Sequence, residues 1–324
     1  MQIIQHLEEA QLPAETVLTI GAFDGVHRGH QALLCTVIER AHAAGRLSAV
    51  ITFDPHPANV LSPQKPVRYI TTTAEKAALL ERLGLDVLVL MRFTTELANQ
   101  PAEQFVQAIV KHLHPTELWI GRDFALGRNR EGDFDRLTEL GRRYGFRVEQ
   151  VQPVFWNGSI VSSSRIRRLL AEGDMVAVAD LLGWYYTLAG KVMRGHQRGR
   201  DLGYPTANIQ VAADRALPRD GVYACYALLG NHRFPAVANL GVRPMFYDDG
   251  SRLLEAHLLD MEINLYDCDL AVEFVRLLRP EMKFGSIAEL IEQMGRDVAE
   301  ARRLLRAERP ARFDVAFSAW NALR

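Results

Sequence analysis

Two histidines, His27 and His30, stand three positions apart in the segment Gly21 to His30, GAFDGVHRGH, immediately after the apolar run Thr16 to Ile20. Imidazoles at that spacing on a helix share a face and can reach one anionic group together. The residues that follow, Leu33, Leu34, Val37, Ile38 and Ala41, recur at helical spacing, which puts the histidines at a strand-to-helix turn. A helix N-terminus there adds partial positive charge. Gly21, Gly25 and Gly29 let backbone approach a bound group closely. The chemistry this favours is phosphate chemistry; taken alone, the segment also reads as an ordinary glycine turn with surface histidines.

A second segment supplies what a phosphate site still needs. In Val161 to Arg168, VSSSRIRR, serines precede an apolar-periodic helix that carries arginines. Ser162, Ser163 and Ser164 can cap the helix start, where exposed N–H groups donate to an anion, and Arg167 can fork onto phosphate oxygens. By itself this is equally a capped surface helix with a solvated basic face. The first segment resembles the HxGH signature of the nucleotidylyltransferase superfamily, in the G-x-F-D-G-V-H-x-G-H form found in prokaryotic FAD synthetases. The second resembles the same family's ISSTxxR motif, with Ser164 where threonine is usual. The resemblance implies that His27 and His30 stabilise charge on the phosphates of ATP while another phosphate attacks the α-phosphorus, and that Arg167 meets the departing pyrophosphate. It also implies binding roles for Gly21, Phe23, Asp24, Gly25, Gly29, Ser163 and Ser164.

The elements between the two segments must position them. Runs at Leu47 to Phe53, Val87 to Phe93 and Glu117 to Gly121 read as strands, and Ala74 to Leu83, Ala102 to His112 and Phe134 to Tyr144 as helices. That alternation predicts a parallel sheet with helices on its faces, in which ligands collect at the carboxyl ends of strands near a switch in strand order. Phe53 to Pro57, FDPHP, and Gly121 to Gly127, GRDFALG, fall at such ends. Both resemble FAD synthetase segments, which implies that Asp54, His56, Asp123 and Phe124 line the nucleotide and flavin site. Ala125 and Leu126 depart from the basic and aromatic residues usual in that family. A polar loop between two prolines is otherwise commonly just a turn.

Beyond Trp184 the pattern changes to closely spaced strand-like runs: Thr187 to Met193, Gly221 to Leu229, Ala236 to Gly241, Leu253 to Met261 and Leu270 to Leu277. These predict a small antiparallel barrel, closed by a helix from Ser286 to about Arg306 with Ile287, Leu290, Ile291 and Met294 on one face. The boundary is placed between Gly183 and Thr187, giving domains 1–184 and 185–324. Within the barrel, Gly199 to Asn208, GRDLGYPTAN, ends in a tetrapeptide that resembles the riboflavin kinase signature. The resemblance implies that Thr206 and Asn208 place hard oxygens on Mg²⁺ and the phosphates of ATP. It further implies that Gly195, Arg200 and Asn239 line that site and that Glu255, in LLEAHLLD, orients or deprotonates the riboflavin 5′-hydroxyl. NLGVRPMF, from Asn239, and LLRPEMKF, from Leu277, complete the similarity, with Met245 in place of the usual threonine. Without the resemblance PTAN is a turn into a strand, and Glu255 is a carboxylate on the solvated face of the barrel.

Composition limits the alternatives. With 48% hydrophobic residues over 324 positions and a net charge of −1, the chain can build two cores and carries no charge excess that would demand nucleic acid. Cys35, Cys225 and Cys268 are too few and too widely spaced for a C-x-x-C metal site or a disulfide framework, as expected of a cytoplasmic protein. MQIIQHLEEA is not a signal peptide, and no apolar run approaches membrane length. The chain is identified as resembling the prokaryotic bifunctional riboflavin kinase and FMN adenylyltransferase family. That implies an α/β fold: an N-terminal nucleotidylyltransferase Rossmann-like parallel sheet, then a C-terminal riboflavin-kinase antiparallel β-barrel and terminal helix. The implied substrates are ATP, riboflavin and FMN, the implied cofactor is Mg²⁺, and neither nucleic acid nor membrane is a partner; self-association into a homo-oligomer is compatible with the sequence. A nucleotidyltransferase for a pantetheine or nicotinamide precursor would leave the barrel without a role. An RNA-binding barrel would account for RGHQRGR, from Arg194, but not for the paired histidines.

Overall fold

The computed structural model describes residues 1–194, 203–230, 232–242, 252–261 and 263–307. Packing divides it into two compact units, Met1–Ser163 and a second that begins at Ser164. In the first unit the strands are β1 (Gln2–Ile4), β2 (Thr16–Ile20), β3 (Leu47–Asp54), β4 (Val87–Arg92), β5 (Pro115–Gly121) and β6 (Arg147–Val151). Its helices are α1 (Arg28–Ala43), α2 (Pro57–Leu61), α3 (Thr73–Arg82), α4 (Thr95–Ala98), α5 (Ala102–Leu113) and α6 (Phe134–Tyr144), and a short hairpin joins β7 (Phe155–Trp156) to β8 (Ser159–Ile160).

The six strands form one sheet in the order β1-β4-β3-β2-β5-β6, and every pairing in it is parallel. The central strand β2 is buried along its whole length, as a parallel strand covered on both faces must be. From β2 the chain steps outward through β3 and β4, then returns to lay β5 on the opposite side of β2. The strand order therefore reverses between β2 and β5, and the crevice outside their carboxyl ends is where such sheets take ligands. The loops starting at Gly21 and Gly121 leave from those two ends. The predicted apolar stripe of α1, Leu33, Leu34, Val37, Ile38 and Ala41, is buried. Asp133 caps the start of α6 and Gly145 ends it at φ 84°, which explains why both of its boundaries were legible.

The second unit holds α7 (Ser163–Glu172, entered from the first unit), α8 (Met175–Leu182), β9 (Thr187–Met193), β10 (Ala207–Gln210), β11 (Gly221–Leu229), β12 (His232–Val242), β13 (Arg252–Leu258), β14 (Asp269–Pro280) and α9 (Ile287–Ala307). Its strands close into a barrel in the order β10-β13-β12-β11-β14-β9, with antiparallel pairing throughout. Alternate residues point inward, among them Leu254, Ala256 and Leu258 of β13 and Ala236, Ala238 and Leu240 of β12. Tyr223 and Phe274 meet edge to face inside at 5.1 Å.

One sequence expectation is corrected here. The face of the last helix was expected at Ile287, Leu290, Ile291 and Met294, but Ile287 is 67% exposed and the buried residues of α9 are Asp297, Ala301, Leu304 and Leu305. Polar anchors set that rotation. The Asp297 carboxylate takes both Arg279 and Gln293, and the Tyr226 hydroxyl donates to the Leu305 carbonyl at 3.0 Å. The packing division falls at Ser163, upstream of the compositional change near Trp184, and Ala179 of α8 shares a core cluster with Tyr185, Ala224, Val275 and Leu305.

Candidate active sites

The turn after β2 is held in a conformation that few sequences adopt. Phe23 (φ 47°), Gly25 (φ 84°) and Val26 (φ 37°) all lie at positive φ, and for a β-branched residue such as Val26 this is costly and persists only where surrounding structure enforces it. The enforcing contacts come from the segment leading into α3. The Asp24 carboxylate, 3% exposed, accepts the Ile70 and Thr71 N–H groups at 3.0 and 3.1 Å, and Gly25 donates its N–H to the Thr71 hydroxyl. Across the same turn the Ser163 hydroxyl donates to the Asp24 carbonyl at 2.9 Å. Asp24 and Ser163 thus fix the turn's shape.

That shape brings the two histidines together. His27 is the N-cap of α1, its Nδ1 accepting the His30 N–H at 3.3 Å; an accepting Nδ1 leaves the ring proton on Nε2, a donor. The two imidazoles stack at 3.6 Å with 15° between their planes, and Phe23 meets His30 edge-on at 5.2 Å. Gly29 makes room, since a Cβ there would lie 3.2 Å from His27 Cε1. The Nδ1 of His30 is buried without a hydrogen-bond partner among the described residues. Burial first, then the neighbouring charges of His27 and Lys76, hold the His30 imidazole well below its ordinary value. That environment favours the neutral imidazole, and an anion bound beside it would pull in the opposite direction.

Around the crevice, Asp54 accepts the Thr73 hydroxyl at 2.9 Å. His56 repeats the role of His27 by capping α2 through Nδ1, and its own N–H donates to the Tyr69 hydroxyl. Asp123 gives its carbonyl to Arg130, and Phe124 packs half-buried against the sheet core. Leu126 is buried in that same core, so this departure from the family pattern serves packing. Ser164 and Arg167 lie on α7, which belongs to the second unit from Ser164 onward.

In the barrel, Asn208 of β10 and Asn239 of β12 each stand directly opposite Glu255 of β13. All three are half-buried between inward-pointing neighbours, so they form one row on the outer face of the barrel. Thr206 lies two residues before Asn208, and the Pro205 carbonyl beside it is 2.8 Å from His257 Nδ1. Gly195, Arg200 and Met245 lie outside the described residues. The row gathers amide and carboxylate oxygens, the donor set that suits a hard divalent cation and a hydroxyl nucleophile.

Sequence reasoning missed Lys76. Its signal was present, because Lys76 and Leu80 stand four apart on α3 and are the two residues of that helix that are buried. A lysine on an apolar stripe is the pattern to look for.

A family model described as FAD synthetase matches residues 9–165, and one described as riboflavin kinase matches residues 182–305. Among curated proteins the chain is 41% identical over 290 residues to a bifunctional riboflavin kinase/FMN adenylyltransferase of Pseudomonas fluorescens, covering 89% of this chain and 92% of that one. It is 36% identical over 315 residues to the protein of the same description from Escherichia coli strain K12, covering 96% and 100%. A solved structure described as a macrolide-efflux protein from Streptococcus pneumoniae matches 94% of this chain and 99% of its own at a TM-score of 0.85 and 27% identity. No helix among the described residues is long and apolar enough to cross a membrane.

Proposed function

The chain belongs to the bifunctional riboflavin kinase/FMN adenylyltransferase family, and we propose that its two reactions are divided between the two sites just described. Riboflavin is phosphorylated by ATP to FMN, and FMN is adenylylated by a second ATP to FAD with release of pyrophosphate. The chemistry of the steps supports the division. In the kinase step a neutral 5′-hydroxyl attacks the γ-phosphorus and must lose its proton, which calls for a carboxylate. In the adenylyl step the nucleophile is an ionised phosphate with no proton to give up, so that site needs cations and donors but no base.

Glu255 accepts the hydroxyl proton in the kinase step, and ADP leaves. Thr206 and Asn208 would hold Mg²⁺ together with the phosphates of ATP, and the ion would supply neutralisation of phosphate charge; Gly195, Arg200 and Asn239 complete that site. In the adenylyl step His27 and His30 donate to the phosphate oxygens of ATP while an FMN phosphate oxygen attacks the α-phosphorus, and Arg167 neutralises the leaving pyrophosphate. Ser163, Ser164, Asp54, His56, Asp123 and Phe124 line the nucleotide and flavin, and Gly21, Phe23, Asp24, Gly25 and Gly29 form the turn that carries the histidines. The two activities divide along the sequence near Trp184, the enzyme works in the cytoplasm, and nucleic acid is not a partner.

The observation that carries this reading is the stacked His27–His30 pair, with His30 Nδ1 unpartnered among the described residues, at the switch-point end of β2. Incubating the protein with riboflavin and MgATP and separating the flavins by chromatography tests it. FMN followed by FAD is the expected result. A protein that makes neither overturns the reading, and one that makes FMN alone overturns the adenylyl half.

A further inference from the structure

Lys76 projects from the first turns of α3 into the base of the histidine turn and is 6% exposed. Its Nζ donates to the Ala22 carbonyl at 3.1 Å and to the Thr52 hydroxyl at 2.9 Å. Thr52 in turn donates to the same Ala22 carbonyl at 3.1 Å, so two donors hold the peptide that enters the positive-φ stretch at Phe23. The other side of that stretch is held by Asp24 on the Ile70 and Thr71 N–H groups. The segment from Ile70 to Lys76 therefore grips the turn at two points. Its own geometry is fixed by a capping box in which Thr72 and Glu75 bond reciprocally.

Gripping a turn does not require an ammonium. A buried cation is costly where an apolar side chain of similar volume would pack as well. Burial pulls Lys76 below the ordinary lysine value against the opposing pull of Asp24 and Asp54, and those carboxylates are bonded to Ile70, Thr71 and Thr73. The ammonium sits on the Ala22 carbonyl, one residue before Phe23, and its charge is among those that lower the proton affinity of His30. A fixed cation at the base of a turn that carries two imidazole donors is an arrangement useful to a polyanionic ligand.

We propose that Lys76 is a positioning residue for adenylyl transfer, holding the Ala22 carbonyl so that the strained turn presents His27 and His30, and supplying a buried positive charge at the base of that turn that favours the charge building on the phosphates during transfer. This rests on the assignment of FAD formation to the histidine site. Lys76→Met removes both the bond and the charge. Lys76→Gln keeps a donor for Ala22 and removes the charge. Lys76→Arg keeps the charge.

The test uses the full-length enzyme with two readouts. The first is the kcat for FAD formation from supplied FMN, with FMN formation from riboflavin as the control. It should fall about 10- to 100-fold in Lys76→Met with a change in KM for ATP of less than about threefold, while the control stays near wild type. Lys76→Arg should recover a part of the loss. The second readout needs no catalysis: the imidazole titration of His30 followed by NMR in the free protein. It should move upward toward the ordinary value in both the Met and Gln variants, because the facing ammonium is gone, and stay low in Lys76→Arg. Folded Met and Gln variants with unchanged kcat and an unchanged His30 titration would overturn the proposal. Loss of the folded state in both of them would make Lys76 a stability residue and overturn it too. Failure of the underlying assignment shows separately, as a wild-type protein that makes no FAD.

Discussion

Glu255 lies directly opposite Asn208 in the pairing of β10 with β13, and opposite Asn239 on its other side in the pairing of β13 with β12. Directly opposed residues of antiparallel strands bring their side chains to the same face within about 5 Å. The arrangement places a carboxylate between two amides on the outer surface of the barrel. That separates it from the apolar interior formed by Leu254 and Ala256. An ionised carboxylate is far less costly there than among inward-facing neighbours.

Glu255→Gln keeps the shape and hydrogen bonding of this row and removes its charge. FMN formation should fall about 100-fold or more, as expected for loss of a general base, with little change in apparent ATP affinity. FAD formation from supplied FMN should be unaffected. Steady-state rates for both products decide it: a near-normal kinase rate in a folded variant would make Glu255 a solvated strand residue only.

Gly29→Ala separates helix stability from site geometry. Alanine favours a helix by about 1 kcal/mol over glycine, so the variant should melt at or slightly above the wild-type temperature. The new Cβ would stand 3.2 Å from His27 Cε1 and 3.3 Å from its Nδ1, which displaces the imidazole by a few tenths of an ångström. FAD formation should drop about tenfold. A stable variant with an unchanged rate would show that the ring's position is not critical.

The packing of α7 and α8 makes a prediction about fragments. The Arg219 N–H donates to the Leu170 carbonyl at 2.9 Å, and Ala179 joins the cluster that holds Val275 and Leu305. A fragment of residues 164–324 should fold and phosphorylate riboflavin near the full-chain rate. One of residues 185–324 should be less stable, since each large apolar side chain left uncovered forfeits about 1.5 to 3 kcal/mol. Equal melting temperatures for the two fragments would show that α7 and α8 contribute nothing to the barrel.

Much of this was legible because local signals agreed with the tertiary structure. The apolar run of β2, the stripe of α1 and the caps of α6 are each decided by residues within the element. The elements that were missed are short or lie at edges. Gln2–Ile4 and Arg147–Val151 are the two edge strands of the sheet, and Ala207–Gln210 has four residues, too few for alternation to show. The face of α9 was misjudged for a different reason: two apolar stretches share the helix, and distant partners, Arg279 and Tyr226, select the second. In the histidine site the motif residues were readable by type. The inward commitment of Asp24 to the Ile70 and Thr71 backbone, and the burial of Lys76, depend on contacts about fifty residues away in sequence.

The His30 imidazole carries a pH signature that distinguishes a buried functional group from a surface one. Its proton affinity is lowered in the folded state by burial, by His27 and by Lys76, whereas in the unfolded chain it titrates near the ordinary value of about 6.5. Below that pH the unfolded state binds a proton that the folded state refuses. The group's contribution to stability is therefore fully present above about pH 6.5 and is lost as pH falls toward the folded-state value. His30→Gln removes the titration. The difference in unfolding free energy between wild type and variant, measured by denaturant titration, should shrink or reverse in the variant's favour between about pH 7 and pH 5. FAD formation at pH 7 should fall about 10² to 10³-fold in His30→Ala, the usual cost of losing one preorganised donor, while FMN formation stays near wild type. A wild-type-minus-variant stability difference that is flat across that range would show that His30 titrates as an exposed imidazole.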